Sequence, residues 1–549
     1  MYLDQSVSKQ YGKIYTRTLL RESYREDGKV KHHTIANLSK CSKEEIEAIK
    51  LALKHKKDLS ELCSIKDDIK IKLGPSVGAI SLLNALANRL HITKALGNTR
   101  MGKLALWQVM ARIIDQGSRF SAVRLAGQHA ICDLIGLDSF NEDDLYGNLD
   151  WLSDNQSRIE DALFKERYDG REIPTLYLYD VTSSYLEGKE NELGDFGHNR
   201  DNKKHKMQII VGLLTDGDGL PVSIEVFKGN TTDPKTFLNQ IKKLAFRFGI
   251  KDVPMVGDRG MIKGGEIKEL NEVKFHYITA ITKPQIESLI KKGLIQLSLF
   301  DEELCEIDVG GIRYILRRNP LRAKELEVSR QEKIEKIKGI VSKENEYLIF
   351  HKRAKVESAF NRIQNWLKRL KIYDFCTIKV EGRSFVVKVD EEAKTEAGEL
   401  DGCYCIKTDL SKDKAKAKTV HDRYKDLANI EQGFRTMKTG LLETRPVYVR
   451  KEKRTRGHVF VVMLAYIIIQ ELKRVWAEID VKIDEGISEL IAITSEEIRI
   501  GKISYQQIPE PRELGIRLLK AAKVSLPEVL PHRDIKVATR KKLTPRCPL

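Results

Sequence analysis

The chain has 549 residues, with 96 Lys and Arg against 79 Asp and Glu, a formal charge of +17 and charged residues at 32%. A chain of that length has room for several domains, and the abundance of both signs excludes a basic tail on a neutral body. The basic excess points to a polyanion, nucleic acid above all, or to a protein that is merely basic.

The eight cysteines contain no CxxC pair, which argues for reduced thiols in a reducing compartment. MYLDQSVSKQ is no signal peptide. The most apolar run, 459–470, is shorter than the roughly 20 residues a bilayer span needs and is expected as a buried helix. These features place the protein in the cytoplasm, away from membranes.

Residues 1–70 are expected as a basic hairpin-helix unit. The stretch 14–24 alternates loosely, Asp27-Gly28 is a hairpin turn, and 30–38 returns as the second strand. Ser42 with Glu45 forms a capping box for a helix to about Lys56. The Lys, Arg and His content suits either DNA or a solvated face. Residues 71–168 are helical in pattern, over 79–90, 103–117, 122–134 and 144–164. Arg100, Lys103, Arg112, Arg119 and Arg124 lie there, so the region is either a DNA-binding domain or a scaffold.

In 169–283 the periodicity changes. Residues 175–182 form a strand ending near Asp180. The loop after it carries Gly188, Gly194, Gly197, His198 and the basic run Lys203-Lys204-His205-Lys206. Strands at 207–214 and 221–227 flank the turn Asp216-Gly217-Asp218-Gly219 as a hairpin. A helix opens at Asp233-Pro234 and runs to about Phe248. A fourth strand, 253–258, again ends at an aspartate, Asp258; a helix over 262–271 and a strand over 275–282 follow. This order is that of a ribonuclease-H-like α/β fold, in which the first and fourth strands are neighbours and a later helix brings a third carboxylate.

Residues 284–420 are too long for a loop and are expected as an inserted α+β subdomain. Within it, 321–341 and 353–370 are helical, and 312–317, 375–380, 385–389 and 403–408 are strand-like. Trp366, near Arg362, Lys368 and Arg369, suits a core or a stacked base. The alternating lysines of 412–418 read as a mobile connection. Residues 421–480 return to the core. At helical spacing Ile430, Phe434, Met437 and Leu441 share one stripe, while Glu431, Arg435 and Lys438 share another. A carboxylate between two cations suits a metal beside phosphates, or an ordinary exposed ion pair. The tail, 481–549, is expected as short helices.

Asp180, Asp258 and Glu431 form the constellation. Converging carboxylates can hold two ions that activate the attacking oxygen and stabilise the leaving one, and all-oxygen ligands suit Mg²⁺. No GxxxxGK[ST] loop, HExxH or nucleophile elbow competes.

These residues resemble the DDE transposases of bacterial insertion sequences. The similarity is to the branch with a Tyr-x2-Arg-x3-Glu-x6-Lys signature and a strand-rich insertion before the last carboxylate. Tyr424, Glu431 and Lys438 stand at those spacings, with Leu427 at the Arg position and Arg435 as the cation nearest to replacing it. Tyr179-Asp180-Val-Thr-Ser, Gly229-Asn230-x2-Asp233, Gly257-Asp258-Arg259-Gly260 and Arg445-Pro446 also match. The resemblance implies Asp180, Asp258 and Glu431 as catalytic metal ligands for two Mg²⁺ ions, with Mn²⁺ able to substitute. It implies Tyr424, Arg435 and Lys438 on the DNA phosphates. Arg259 and Arg445 suit either a phosphate or a salt bridge, and His198 and His205 a loop or a place beside the metals. The implied partners are double-stranded DNA, as terminal inverted repeats and target, and a second copy in a synaptic homodimer at the bacterial nucleoid. A nuclease without strand transfer and a DNA-binding regulator are the rival functions.

Overall fold

The computed structural model describes residues 1–57, 69–197, 200, 201, 203, 205–262, 264–500, 503–530, 535 and 537–540. In chain order the elements are β1 (Tyr2–Gln10), β2 (Lys13–Glu26), β3 (Lys29–Asn37), α1 (Lys43–Lys54) and β4 (Ile69–Ser76). Helices follow: α2 (Gly78–Arg89), α3 (Ile92–Leu96), α4 (Arg100–Ile114), α5 (Arg119–Ala126), α6 (Ile131–Ile135) and α7 (Glu142–Tyr168). Next come β5 (Tyr177–Tyr185), β6 (Gln208–Asp216), β7 (Pro221–Lys228), α8 (Asp233–Lys242), β8 (Pro254–Gly257), α9 (Gly264–Glu272), β9 (His276–Ala280) and α10 (Lys283–Lys291). The chain continues through β10 (Cys305–Val309), β11 (Ile312–Arg318), α11 (Pro320–Phe350), α12 (Val356–Leu370), β12 (Cys376–Glu381), β13 (Ser384–Val389), α13 (Glu391–Gly398) and β14 (Cys403–Thr408). It ends with α14 (Ala417–Lys425), α15 (Leu427–Lys438), α16 (Glu452–Val475), α17 (Ile483–Ile491), β15 (Thr494–Ile500), β16 (Ile503–Gln507) and α18 (Glu513–Ala521).

Two compact units result. The first takes Met1–Ser81, Gly127–Gly136 and Ile487–Asp534. Its β1, β2 and β3 form an antiparallel meander. Asp27-Gly28 turns with positive φ at both residues, and Tyr11-Gly12 does the same between β1 and β2. The strand before Tyr11 is an addition to the expected hairpin. Ser42 and Glu45 cap α1 reciprocally, as their spacing predicts. A second sheet has the order β16-β15-β4. The all-helical tail expected for 481–549 is therefore corrected. β15 and β16 pair as a hairpin, and β15 finds a ready edge in β4, Ile498 opposite Ile71.

The second unit takes Leu82–Ala126, Leu137–Gly486 and Ile535–Leu549. Its sheet runs β10-β11-β14-β9-β8-β5-β6-β7. β5 is antiparallel to β6 and parallel to β8, and β8 is parallel to β9. Tyr177, Tyr179 and Val181 point from β5 into a core with Phe237 and Ile241 of α8 and Leu270 of α9. β6 is buried along its whole length, so its apolar run shows no alternation. The run 459–470 is indeed a buried helix, the centre of α16. Among the described residues no helix is long and apolar enough to cross a membrane.

Residues 284–420 divide differently from the expected insertion. β10, β11 and β14 extend the large sheet, because β14 covers the hydrogen-bonding edge that β9 would otherwise leave open. α11, α12 and the β12–β13 hairpin build a separate apolar cluster around Ile337, Ile363, Leu367 and Phe385. The lysine-rich 412–418 is anchored: Lys414 pairs with Asp252 at 2.7 Å and Lys412 with Glu306 at 3.4 Å. Residues 122–134, expected as one helix, form the two short helices α5 and α6.

Candidate active site

Strand register brings the first two carboxylates together. Tyr179 of β5 pairs with Gly257 of β8 in the parallel ladder, so Asp180 and Asp258 follow on adjacent chains. Asp180 does not end its strand as expected. It sits in mid-strand opposite Leu213 of β6, one residue past the end of the ladder with β8. Gly212, next to it on β6, is needed where it is, since a Cβ there would stand 2.2 Å from the Tyr179 hydroxyl.

Glu431 comes from α15, which packs against β5. Ile430, Phe434 and Met437 are buried and Glu431 and Arg435 exposed, as the spacing predicts, but Leu441 lies past the end of the helix and the Lys438 side chain is only 12% exposed. The stretch around Glu431 is not one helix, however. α14 stops at Lys425 and α15 starts at Leu427, so Tyr424 and Glu431 stand on different helices.

Burial pushes the Asp180 carboxyl up to about 7. The Val181 N–H opposes the shift, the Asp258 charge adds to it, Arg200 opposes it and the Glu431 charge adds to it. Like charges beside Asp180 disfavour its ionised form. The donors are all oxygens, which fits Mg²⁺ or Mn²⁺. Among the described residues no three His, Cys, Asp or Glu side chains converge tightly enough to hold one ion by themselves.

The expected DNA contacts divide into two sets. Arg259 and Arg435 are exposed, and no ion pair with a carboxylate engages either among the described residues. Tyr424, Lys438 and Arg445 contact carboxylates instead. The Tyr424 hydroxyl donates to Asp258 Oδ1 at 3.4 Å, and burial first, then the Asp258 charge, raises its pKa so that it remains a donor. Lys438 pairs with Asp201 at 2.9 Å, and Arg445 pairs with the same carboxylate.

Asp201 and Arg200 are the residues that sequence reasoning missed. The Asp201 side chain is 2% exposed and also accepts from the Tyr185 N–H. Arg200 donates to Val181 O at 3.1 Å and Asp233 Oδ2 at 2.8 Å, which ties the Gly229–Asp233 motif to the strand of Asp180. An adjacent Arg-Asp pair in the loop after β5 was the available signal. His198 and Lys204 lie outside the described residues. His205 is exposed in a turn with φ 63°. Trp366 is half-buried against the α11–α12 cluster, with Lys336 and Arg369 over its ring. Arg112 and Arg119 are buried, so they offer no exposed basic face on the helical region.

A family model described as IS1634 family transposase, N-terminal domain, matches residues 3–64, and one described as Transposase DDE domain matches residues 173–468, more than half of the chain. No curated protein matches. Among solved structures, a piggyBac transposase synaptic complex with hairpin DNA is similar at 9% identity and a TM-score of 0.34, covering 71% of this chain and 69% of that one. A Mos1 transposase paired-end complex with the left transposon end is similar at 10% identity and a TM-score of 0.15, covering 30% and 54%. With both domain models in sequence order along it, the chain belongs to the DDE transposases of bacterial insertion sequences.

Proposed function

We propose that this transposase cleaves DNA at the ends of its own insertion sequence and joins the freed 3′-hydroxyls to target DNA, using Asp180, Asp258 and Glu431 as metal ligands. The observation that carries the assignment is the parallel β5–β8 register, which sets Asp180 beside Asp258, with α15 packed on the same strand. The strand order β7-β6-β5-β8-β9 supports a ribonuclease-H-like core. Two Mg²⁺ or Mn²⁺ ions would supply an activated oxygen nucleophile and charge relief on the leaving oxygen.

In the first step water adds to phosphorus and the bond to the 3′-oxygen breaks, leaving a 3′-hydroxyl. In the second, that hydroxyl attacks a target phosphodiester, one P–O bond forms and one breaks. Phosphodiester number is conserved in the transfer, so no nucleotide hydrolysis is needed. Arg435 and Arg259 contact phosphates near the cut, Tyr424 orients Asp258, and Lys438 with Arg445 fixes the loop of Asp201. The 1–70 unit and the 71–168 helices contribute DNA binding, and two copies bridge two ends at the nucleoid.

The test is strand cleavage of a duplex carrying the gene's flanking ends, with Mg²⁺, Mn²⁺ or EDTA. Wild type should cut at the end boundary only with metal. Asp258→Ala and Glu431→Ala should bind the duplex normally and not cut. Cutting by either variant at the wild-type rate would refute the ligand assignment.

A further inference from the structure

A cavity of about 790 Å³ opens beside α4, α5 and the loop that leads into α16. We propose that it binds a backbone phosphate of the DNA on which the enzyme acts, with Arg112 and Arg119 as the anchoring pair. This deepens the transposase function proposed above and rests on it.

Arg112 and Arg119 line the cavity and are 5% and 7% exposed. Arg112 donates to the carbonyls of Gln116 at 2.6 Å and Gly117 at 3.2 Å. Arg119 Nη2 stands 3.0 Å from His458 Nδ1. The Nε of each arginine is buried and has no hydrogen-bond partner among the described residues. Neither guanidinium is in an ion pair with a carboxylate among those residues; Asp115 and Glu443 act on Arg112 at longer range, and a buried cation without a contacting acid is costly. Burial first, then Arg112, pushes Arg119 down to about 9. Burial keeps His458 neutral, so it orients Arg119 and adds no charge. An anion in the cavity supplies what this pair lacks.

The surroundings favour a phosphodiester over a free phosphate. Lys451 is exposed at the rim, and Glu443 is the acid that lines it. Tyr448, 72% exposed, offers a ring to a sugar or base next to the phosphate. Arg445 lines the cavity and also pairs with Asp201, to which Lys438 of α15 is bound. The cavity is thus joined to the helix of Glu431 through a single carboxylate.

The experiment measures binding of a fluorescent end duplex to the full chain in EDTA, across a salt series. Arg119→Gln should weaken binding about tenfold and lower the salt slope by about one. Ser118→Asp puts an acid at the exposed edge of the cavity while keeping a good helix cap; it should act in the same direction with an unchanged melting temperature. Wild-type affinity and slope in a folded Arg119→Gln and in Ser118→Asp would overturn the proposal. So would inorganic phosphate stabilising wild type but not Arg119→Gln while DNA affinity stays equal, which would assign a free-anion site. A wild type that binds no DNA would instead sink the transposase function itself.

Discussion

The carboxylate of Asp201 accepts from Lys438, Arg445 and the Tyr185 N–H, so three segments meet at one almost fully buried side chain. Removing it leaves Lys438, 12% exposed, beside Arg445 with no acid. Breaking a buried pair from one side costs about 3 kcal/mol. Asp201→Ala should therefore lower the urea midpoint by that energy divided by an unchanged m, and adding Lys438→Met should recover much of it. An unshifted midpoint would mean the pair is solvated. His458 gives the second prediction at this scale. Burial, then Arg119 and Arg112, holds its pKa well below the usual 6.5, against a hydrogen bond involving the Thr444 backbone. The unfolded chain then binds a proton that the folded one refuses. This contribution to stability is full above the unfolded value of about 6.5 and is lost as pH falls below it. Melts between pH 8 and pH 5 should show a decline that His458→Gln flattens; equal declines in both would remove His458 as the cause.

Among the elements, α16 is buried along most of its length. A Cβ at Gly457 would meet the Leu149 carbonyl oxygen at 2.2 Å, where α16 crosses α7. The obstacle is backbone, so Gly457→Ala should cost about 2 kcal/mol as overpacking does, read as a lower melting temperature; full stability would show that the helices can part. What could be read in advance follows from how local each signal is. The strand through Tyr177 and Tyr179, the turn at Asp27-Gly28 and the cap at Ser42 each rest on residues close together in the chain, and each of these elements forms. The spacing of Glu431, Arg435 and the buried Phe434 also holds. Pairing of β14 with β9 is decided by which edge is open, and that is no property of residues 403–408 alone. The partnership of Asp201 with Lys438 spans 237 positions and was illegible for the same reason. The β15–β16 hairpin was within reach, since Glu496 and Ile498 already alternate, but its basic surroundings read as tail.

At the scale of the whole molecule the formal charge is +17. Ion pairs such as Arg247 with Glu160 and Asp161, or Arg313 with Glu306, cancel equal charges and leave that excess whole. Exposed cations, among them Arg259, Arg435 and Lys451, are available to a polyanion. Binding of an end duplex should fall on the order of 10³-fold between about 50 and 200 mM salt if some six phosphates are neutralised. An affinity indifferent to salt would argue for recognition without the backbone.

The order in which the site's parts leave the ribosome is written into its connectivity. Asp180 and Asp258 are made early and lie on neighbouring strands, whereas the helix carrying Glu431 is synthesised after β14 has been supplied to the sheet. On the proposed assignment, a nascent chain or a product of premature termination before α15 carries two acids and no third. It also lacks α16, whose side chains fill the interior against α4 and α7. On that assignment an unfinished copy holds an incomplete ligand set, and the full set exists only once synthesis has passed α15.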